Sequence, residues 1–383
     1  MITKFSSLFA GHIDLGEMGE NTTPVDERVY SNDELASVFA KSEGIARCMD
    51  KLGYHTLWFA EHHFQREGYE CIPNILMLAL HLAHLTENLR FGCGFNVSPM
   101  WHPLRLAEDF AMADILSKGR VTFGVGRGYH TREVETFGAP MLDHNANREL
   151  FEEQVDIILK AFEQDSFSHE GKHYTLPPDV SYRGYQLKDL TLVPRPFTTP
   201  VECWQPIVSS APRGLDFMVK HGIKGIIGGG AALMTEGPVQ AFQDAHARAG
   251  KELALGENLC LGISFHLAPT KEQAIAEARP FYEEHVKLFG PLGFLGNLSD
   301  KQQFALKQRG GVTKAGMPTL EDLCESGAWY CGPPEGMIET LQGVSQRYPG
   351  LDFISAQSAI GTPETVIVEQ LEWLASDVMP AFQ

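Results

Sequence analysis

Short apolar runs alternate with longer amphipathic segments along most of the chain. Residues 56–60 and 89–96 are compact apolar runs, whereas in 31–52 the apolar positions recur near helical spacing. This alternation predicts parallel strands joined by crossover helices. Eight strand–helix units can be counted, so the pattern predicts an α/β fold whose strands close into a (β/α)8, or TIM, barrel.

The predicted elements follow these runs. The predicted strands are 2–9, 56–60, 89–96, 121–125, 207–209, 224–227, 259–267 and 353–356. The predicted helices are 31–52, 73–85, 103–117, 147–162, 214–221, 237–249, 271–289, 334–347 and 365–375. An open doubly wound sheet is the alternative, but no G-x-G-x-x-G follows the first strand, and the glycines of 124–128 lack the spacing of that motif.

Two stretches interrupt the alternation. The prolines within 165–205 predict an insertion, partly hairpin, that lies over the barrel after the fourth strand–helix unit. Many glycines and few long apolar runs in 290–316 predict a mobile loop after the seventh unit, and such a loop is a lid candidate in a barrel enzyme. We expect both stretches to belong to one domain that spans 1–383.

Charge and cysteine usage narrow the possible partners. The chain has 31 Lys and Arg against 49 Asp and Glu, a net charge of −18, which disfavours nucleic acid and anionic membranes. Its seven cysteines include no C-x-x-C pair, so we expect reduced thiols in a cytoplasmic protein. Residues 1–15 lack the pattern of a signal peptide, and no apolar run approaches the ~18 residues of a membrane span.

The carboxyl ends of barrel strands carry the active site, so the residues that follow each predicted strand are the candidates. The turn 209–214 offers hydroxyls, a guanidinium and free N–H groups at a helix start, which together suit an anion. The candidates at the ends of the second to fifth strands are Glu61, His62 and His63; Gly94, Phe95 and Asn96; Arg127, Tyr129 and His130; and Ser209, Ser210, Arg213 and Gly214.

Several of these segments resemble motifs of the bacterial luciferase family of flavin-dependent monooxygenases. W-F-A-E-H-H-F at 58–64 resembles the motif after that family's second strand, and H-P-L-R-L-A-E-D at 102–109 resembles a helix start. S-K-G-R at 117–120, F-G-V-G-R-G at 123–128 and S-D-V-M-P at 376–380 match in the same order. The resemblance implies a barrel that uses reduced FMN and O2, through a flavin peroxide, to oxygenate a small organic substrate. A separate NAD(P)H:flavin reductase would supply the FMN.

The resemblance also implies a role for most of the candidates. His62 matches the catalytic histidine, and an imidazole can hold or donate a proton near neutral pH. Arg127 matches the arginine that binds the FMN phosphate, with 209–214 as a second source of donors. Gly94–Phe95 matches a non-proline cis peptide beneath the flavin ring, and Asn96 is expected at the ring edge. The residues expected around the substrate are Glu61, His63, Tyr129 and His130.

The same resemblance predicts a homodimer or another oligomer, formed through helices 73–85 and 103–117. The apolar residues available for that face are Leu76, Leu78, Leu80, Leu82, Met112 and Leu116.

Three alternatives remain open. The protein could be a member of the same superfamily that uses the deazaflavin F420 for hydride transfer. It could also be a relative that binds flavin without catalysis, as a partner subunit. A metal-dependent hydrolase would be built on Glu61, His62 and His63, which are metal-ligand types, as is His130. We expect no metal, because adjacent His62 and His63 on an extended chain point to opposite faces.

Overall fold

The computed structural model describes residues 1–230, 236–295 and 298–382, and a ring of eight parallel strands forms its centre. Cys203 and Trp204 of the fifth strand pair with Phe123 and Gly124 of the fourth and so close the ring. The predicted (β/α)8 barrel is therefore confirmed. In chain order the strands are β1 (Lys4–Phe9), β2 (Thr56–Phe59), β3 (Arg90–Cys93), β4 (Val121–Gly126), β5 (Cys203–Pro206), β6 (Lys224–Ile227), β7 (Leu259–Leu267) and β8 (Phe353–Gln357).

Amphipathic helices cover the outside of the barrel. Asp143 caps the fourth of them by accepting the N–H groups of Asn145 and Ala146, so this helix begins at His144 and not at the predicted 147. Within the described residues, no helix is both long and apolar enough to span a membrane. The main helices are Asn32–Lys51, Ile75–Ala83, Pro103–Ser117, His144–Glu163, Pro212–Lys220, Gly237–Arg248, Lys271–Phe289, Pro334–Arg347 and Glu364–Trp373.

Aromatic side chains fill the barrel interior below its carboxyl end. The ring of Trp58 packs edge-on against Trp204 at 5.6 Å and tilted against Phe353 at 6.1 Å. All three are buried. Burying a side chain of this size stabilises a fold by roughly 1.5–3 kcal/mol. The candidate residues lie beyond this packing, toward the carboxyl ends of the strands.

The fifth strand lies earlier in the chain than predicted. It spans Cys203–Pro206, whereas the prediction placed it at 207–209 and assigned its residues to the insertion. Pro206 does not prevent strand formation, because it is the last residue of the strand. The insertion 165–205 is partly hairpin, as predicted, with antiparallel pairs at 169–176 and 181–186. It packs beside helix His144–Glu163 through Glu153 and Tyr174.

The glycine-rich stretch 290–316 is more regular than predicted. It contains the helices Asp300–Leu306 and Gly311–Lys314. Helix Leu320–Ser326 and strand Trp329–Gly332 follow it, and neither was predicted. The strand extends the sheet by pairing with the second half of β7. Gly296, one of the glycines behind the lid prediction, lies outside the described residues.

Candidate functional site

A cavity of about 410 Å³ opens at the carboxyl ends of the strands. Residues that follow β2, β3, β4 and β5 line it, together with the first turns of helices His144–Glu163 and Pro212–Lys220. His62 and Arg127 both line this cavity, as the barrel prediction required. Most other lining side chains are apolar, among them Met141, Phe151, Leu215, Met218, Phe289 and Phe294.

Both ring nitrogens of His62 lie beside hydrogen-bond acceptors. Nδ1 is 3.2 Å from Oε2 of Glu133, and Nε2 is 2.9 Å from the hydroxyl oxygen of Tyr129. That hydroxyl donates to Oε1 of Glu70 at 2.8 Å, so its oxygen remains free to accept from His62. The arrangement therefore favours an imidazole that carries a proton on each nitrogen.

Electrostatics supports the protonated form of His62. Burial lowers the pKa of His62, but the carboxylates of Glu70, Glu133 and Glu61 outweigh burial and leave it above 6.5. The pKa of Glu133 falls to about 2, because its hydrogen bond and attraction to His62 overcome the cost of burial. The buried Glu133 thus remains a carboxylate beside an imidazole that holds a proton readily.

Glu70 joins His62, Tyr129 and His130 on one side of the cavity. His130 Nε2 donates to Oε2 of Glu70 at 3.0 Å, and His62 Nε2 lies 3.3 Å from Oε1. Burial and the nearby carboxylate of Glu70 raise the pKa of Tyr129 well above 10, so its hydroxyl keeps its proton. Phe294 packs edge-on against Tyr129 at 4.8 Å and covers this group.

Glu61 and His63 stabilise the neighbouring backbone. Glu61 accepts the N–H of Val97 at 2.7 Å and the indole N–H of Trp101 at 2.8 Å. His63 Nε2 lies 3.2 Å from Oε1 of Glu61, and its ring packs against Phe137. His62 and His63 therefore have different partners, as expected for adjacent residues on an extended chain. Of the two, only His62 lines the cavity.

Three arginines lie near one end of the cavity. Arg127 contacts Asn147 Oδ1 at 3.3 Å, and Arg148 also lines the cavity. Burial lowers the pKa of Arg127, and the positive charges of Arg148 and Arg213 lower it further. Glu152 is the carboxylate beside them, 2.8 Å from Arg213 and 3.7 Å from Arg148. The excess of positive charge suits an anionic group such as a phosphate.

The backbone segments around Gly94 and Gly124 approach each other closely beside the cavity. The Gly94–Phe95 peptide bond is cis, as the resemblance implied, and both residues line the cavity. A Cβ on Gly124 would lie 1.9 Å from the carbonyl oxygen of Cys93, so only glycine permits this approach. Asn96 is buried, is not among the lining residues and donates its amide to the Gly124 carbonyl at 2.9 Å.

The turn 209–214 reaches the cavity only in part. Ser209 and Gly214 line it, whereas Ser210 and Arg213 do not. Arg213 is 53% exposed and pairs with Glu152, so its charge acts on the site from outside the cavity. The loop after β5 therefore offers one hydroxyl and a glycine to a bound group.

The predicted set lacks several residues that complete the site. Glu70 and Glu133 lie in loops after β2 and β4, and nothing in their local pattern marks them. His144 and Arg148 would have been found from a helix start at Asp143, because spacing by four places both on one helical face. Of the two stretches that interrupt the strand–helix alternation, 290–316 contributes Phe294 and 165–205 contributes Gln205.

Together with its similarity to known proteins, the barrel identifies an oxidoreductase of the luciferase-like type. The family model described as luciferase-like monooxygenase matches residues 22–376. The chain belongs to this family.

Individual relatives cover less of the chain. The oxygenase component of a flavin-dependent trigonelline monooxygenase from Acinetobacter baylyi is 27% identical over 197 residues, which is 51% of this chain and 50% of that protein. Across three curated relatives, the chain spans 40% to 50% of their lengths.

Two solved structures share the whole fold. The FMN complex of the oxygenating constituent of 3,6-diketocamphane monooxygenase from Pseudomonas putida superposes with a TM-score of 0.73 at 18% identity, over 99% of both chains. An F420-dependent secondary alcohol dehydrogenase superposes with a TM-score of 0.65 at 14% identity, over 100% of both chains. Both FMN and F420 chemistry therefore occur on this fold.

Proposed function

We propose that this protein is the oxygenase component of a two-component monooxygenase that uses reduced FMN and O2 on a small organic substrate. The observation that carries the proposal is one cavity lined both by Arg127 and Arg148 and by His62, whose ring lies beside the carboxylates of Glu133 and Glu70. The arginines suit a flavin phosphate, and His62 suits proton transfer. A separate NAD(P)H:flavin reductase would supply the FMN.

The residues present fit FMN. Arg127 and Arg148 would hold the phosphate, while Ser209 and Gly214 lie on the same cavity wall. The apolar lining suits the dimethylbenzene side of an isoalloxazine ring. Gly94 and Phe95 line the same cavity. Bound in reduced form, FMN supplies the electrons with which O2 is activated.

The protein's own residues would manage protons and water. His62 would hold a proton at Nε2 and donate it toward the cavity, while Glu133 fixes the ring through Nδ1. Phe294, together with Phe289, would exclude water from this end of the cavity. Water exclusion matters, because stray protons convert activated oxygen to hydrogen peroxide in place of product.

The direct test measures oxygen consumption by the purified protein with reduced FMN against a panel of aldehydes, ketones and amines. We expect a true substrate to raise product formed per O2 and to lower peroxide release. Reduced F420 in parallel, without oxygen, tests the alternative of hydride transfer. Flavin binding without oxygen consumption would favour the partner-subunit alternative. Failure to bind FMN in either redox state would contradict the proposal.

The assignment of His62 has its own test. His62→Ala should leave FMN affinity within about twofold and reduce coupled product formation by roughly 10²- to 10⁴-fold, because general acid–base catalysis contributes about that factor. Product and peroxide are measured together, so loss of coupling is separable from loss of turnover. His63→Ala is the matched control, because its ring packs against Phe137 and does not line the cavity. Unchanged coupling in His62→Ala would contradict the assignment.

A further inference from the structure

His62, Glu70 and His130 form a compact group of metal-ligand types inside the protein. One ligand atom from each lies within 4.8 Å of the others, and all three residues are buried. Two imidazoles and one carboxylate are a donor set that zinc accepts in catalytic sites. The hydrolase alternative from the sequence would instead have required Glu61 and His63, which bind each other and the neighbouring backbone.

The separations of the two imidazoles from Glu70 are close to those around a single ion of zinc size. Two ligands at about 2.0–2.1 Å from a tetrahedral ion lie about 3.3–3.4 Å apart. His62 Nε2 lies 3.3 Å from Oε1 of Glu70, and His130 Nε2 lies 3.0 Å from Oε2. Small side-chain rotations would therefore suffice to bring the three donors around one ion.

The surroundings resemble those of an established metal ligand. Imidazoles that bind metal almost always donate their second N–H to a carboxylate or carbonyl, which fixes the ring. Glu133 accepts from His62 Nδ1 at 3.2 Å and is itself held by the N–H of His63 and the amide of Gln65. The three donors would leave the fourth position of a tetrahedral ion for water, as in catalytic zinc sites.

We propose that His62, Glu70 and His130 bind one Zn²⁺ ion per chain and that bound zinc blocks the proposed oxygenase activity. The ion would displace the protons that now lie between these side chains. It would also occupy Nε2 of His62, the atom from which the proposed chemistry draws its proton. The binding site does not depend on the proposed function, whereas the inhibition rests on it.

The site is tested on metal-free, full-length protein by competing for Zn²⁺ with a chromophoric chelator. We expect one Zn²⁺ per chain. Glu70→Gln and His130→Gln should each weaken binding by more than about 100-fold, and Glu133→Gln by about 10- to 100-fold through ring orientation. His81→Gln is the control, because His81 also pairs with a carboxylate, Glu43, but is 54% exposed. Absence of stoichiometric binding, or equal affinity in the ligand variants, would overturn the site.

Thermal unfolding provides a second readout that needs no activity. Zn²⁺ should raise the melting temperature of the wild type and of His81→Gln, because a ligand that binds only the folded state stabilises it. The shift should vanish in Glu70→Gln and His130→Gln, each compared with its own metal-free protein, so altered basal stability does not obscure the result. A shift of equal size in all four proteins would place the zinc elsewhere and overturn the site.

Inhibition is measured as the ratio of coupled activity with and without Zn²⁺ within each protein. The wild type should lose activity at the zinc concentration that fills the site, and a chelator should restore it. Stoichiometric binding with unchanged oxygenation would uphold the site and contradict the role of His62 in the chemistry. A protein that binds zinc but shows no flavin activity would instead contradict the proposed function alone.

Discussion

The protonation state of His62 follows from the side chains on either side of its ring. Glu133 lies beside Nδ1, and Tyr129, which keeps its proton and donates to Glu70, lies beside Nε2. Because the pKa of His62 is raised in the folded state, its interactions stabilise the fold fully below the unfolded pKa of about 6.5. This contribution is lost as the pH rises through the higher folded value.

Replacing Glu133 should therefore shift the titration of His62. In Glu133→Gln the pKa of His62 is expected to fall, because one of the carboxylates that outweigh burial is removed. NMR titration of the His62 ring measures the shift directly, and the pH dependence of coupled turnover should move to lower pH with it. Glu108→Gln removes a carboxylate paired with Arg105 on the surface and should leave the titration unchanged. An unaltered His62 titration in Glu133→Gln would contradict this account.

Arg148 is expected to contribute to flavin affinity although the sequence pattern did not mark it. It lines the cavity and shares Glu152 with Arg213, so a phosphate would gain a charge-assisted hydrogen bond there. Such a bond contributes about 1.5–3 kcal/mol, so Arg148→Ala should weaken FMN binding roughly 10- to 100-fold. Fluorescence titration of FMN measures this. Arg105→Ala is the exposed control, and equal affinities in the two variants would place the phosphate elsewhere.

At this scale the sequence predicted the residues that stand at strand ends. His62, Gly94 and Arg127 lie within three residues of the ends of β2, β3 and β4, and barrel geometry alone brings such positions to one rim. The contacts that define the chemistry join distant residues, such as His62 and Glu133, which are 71 positions apart. Spacing within one element carries no information about such pairs.

Helix Lys271–Phe289 connects the barrel to the residue 11–28 loop through a buried charge group. Glu284 accepts from Arg28 at 2.9 Å, from Lys287 at 2.9 Å and from the hydroxyl of Tyr69 at 2.6 Å. All four side chains are buried. Burial raises the pKa of Glu284, but Arg28 and Lys287 outweigh burial and lower it below 4.5, so the carboxylate stays charged.

Removing Glu284 should destabilise the protein strongly. Glu284→Ala would leave two buried cations without their carboxylate, and breaking a buried pair in this way typically costs about 3–5 kcal/mol. Urea unfolding measures the difference in free energy of unfolding. Glu321→Ala breaks the half-exposed pair with Arg279 and should cost no more than about 1 kcal/mol. Similar losses in the two variants would show that the buried group contributes little.

The predicted boundaries of helices and strands were wrong where a capping residue or a proline, and not the apolar pattern, sets the end of the element. Asp143 caps a helix that begins at His144, three residues before the predicted start at 147. His144 and Arg148 were therefore not recognised as neighbours on one face of this helix. Pro206 ends β5, yet proline density assigned the whole strand to the insertion. Strand Trp329–Gly332 is short and follows a short helix closely, so no alternation marked it. The long, strongly periodic helices were predicted within a few residues.

For the whole molecule, the net charge of −18 contrasts with the arginine group at the cavity. An acidic surface repels anions in general, so an anionic cofactor would gain attraction only near Arg127 and Arg148. Screening at physiological salt confines such effects to about 8 Å. The contrast therefore favours local capture of a phosphate over long-range attraction.

We propose that two copies of the chain associate through helices Ile75–Ala83 and Pro103–Ser117, which pack side by side. The structure corrects part of the predicted face, because Leu76, Leu78 and Leu82 are buried in the core. Met112 and Leu116 are 52% and 51% exposed and lie one helical turn apart. Met77 on the adjoining helix is 72% exposed. These side chains would be covered by a second copy, and a stable interface needs about 1,200–2,000 Å² of buried surface.

The double variant Met112→Glu/Leu116→Glu tests this association. Placing two carboxylates at the centre of an apolar interface costs desolvation and brings like charges together, so sedimentation velocity should show monomers where the wild type shows dimers. The fold of each chain should be unchanged, because both side chains already face solvent within one chain. Val29→Glu/Val193→Glu, at positions 82% and 75% exposed, adds the same charge away from these helices and should remain dimeric. A monomeric wild type, or dimers in both variants, would contradict this interface.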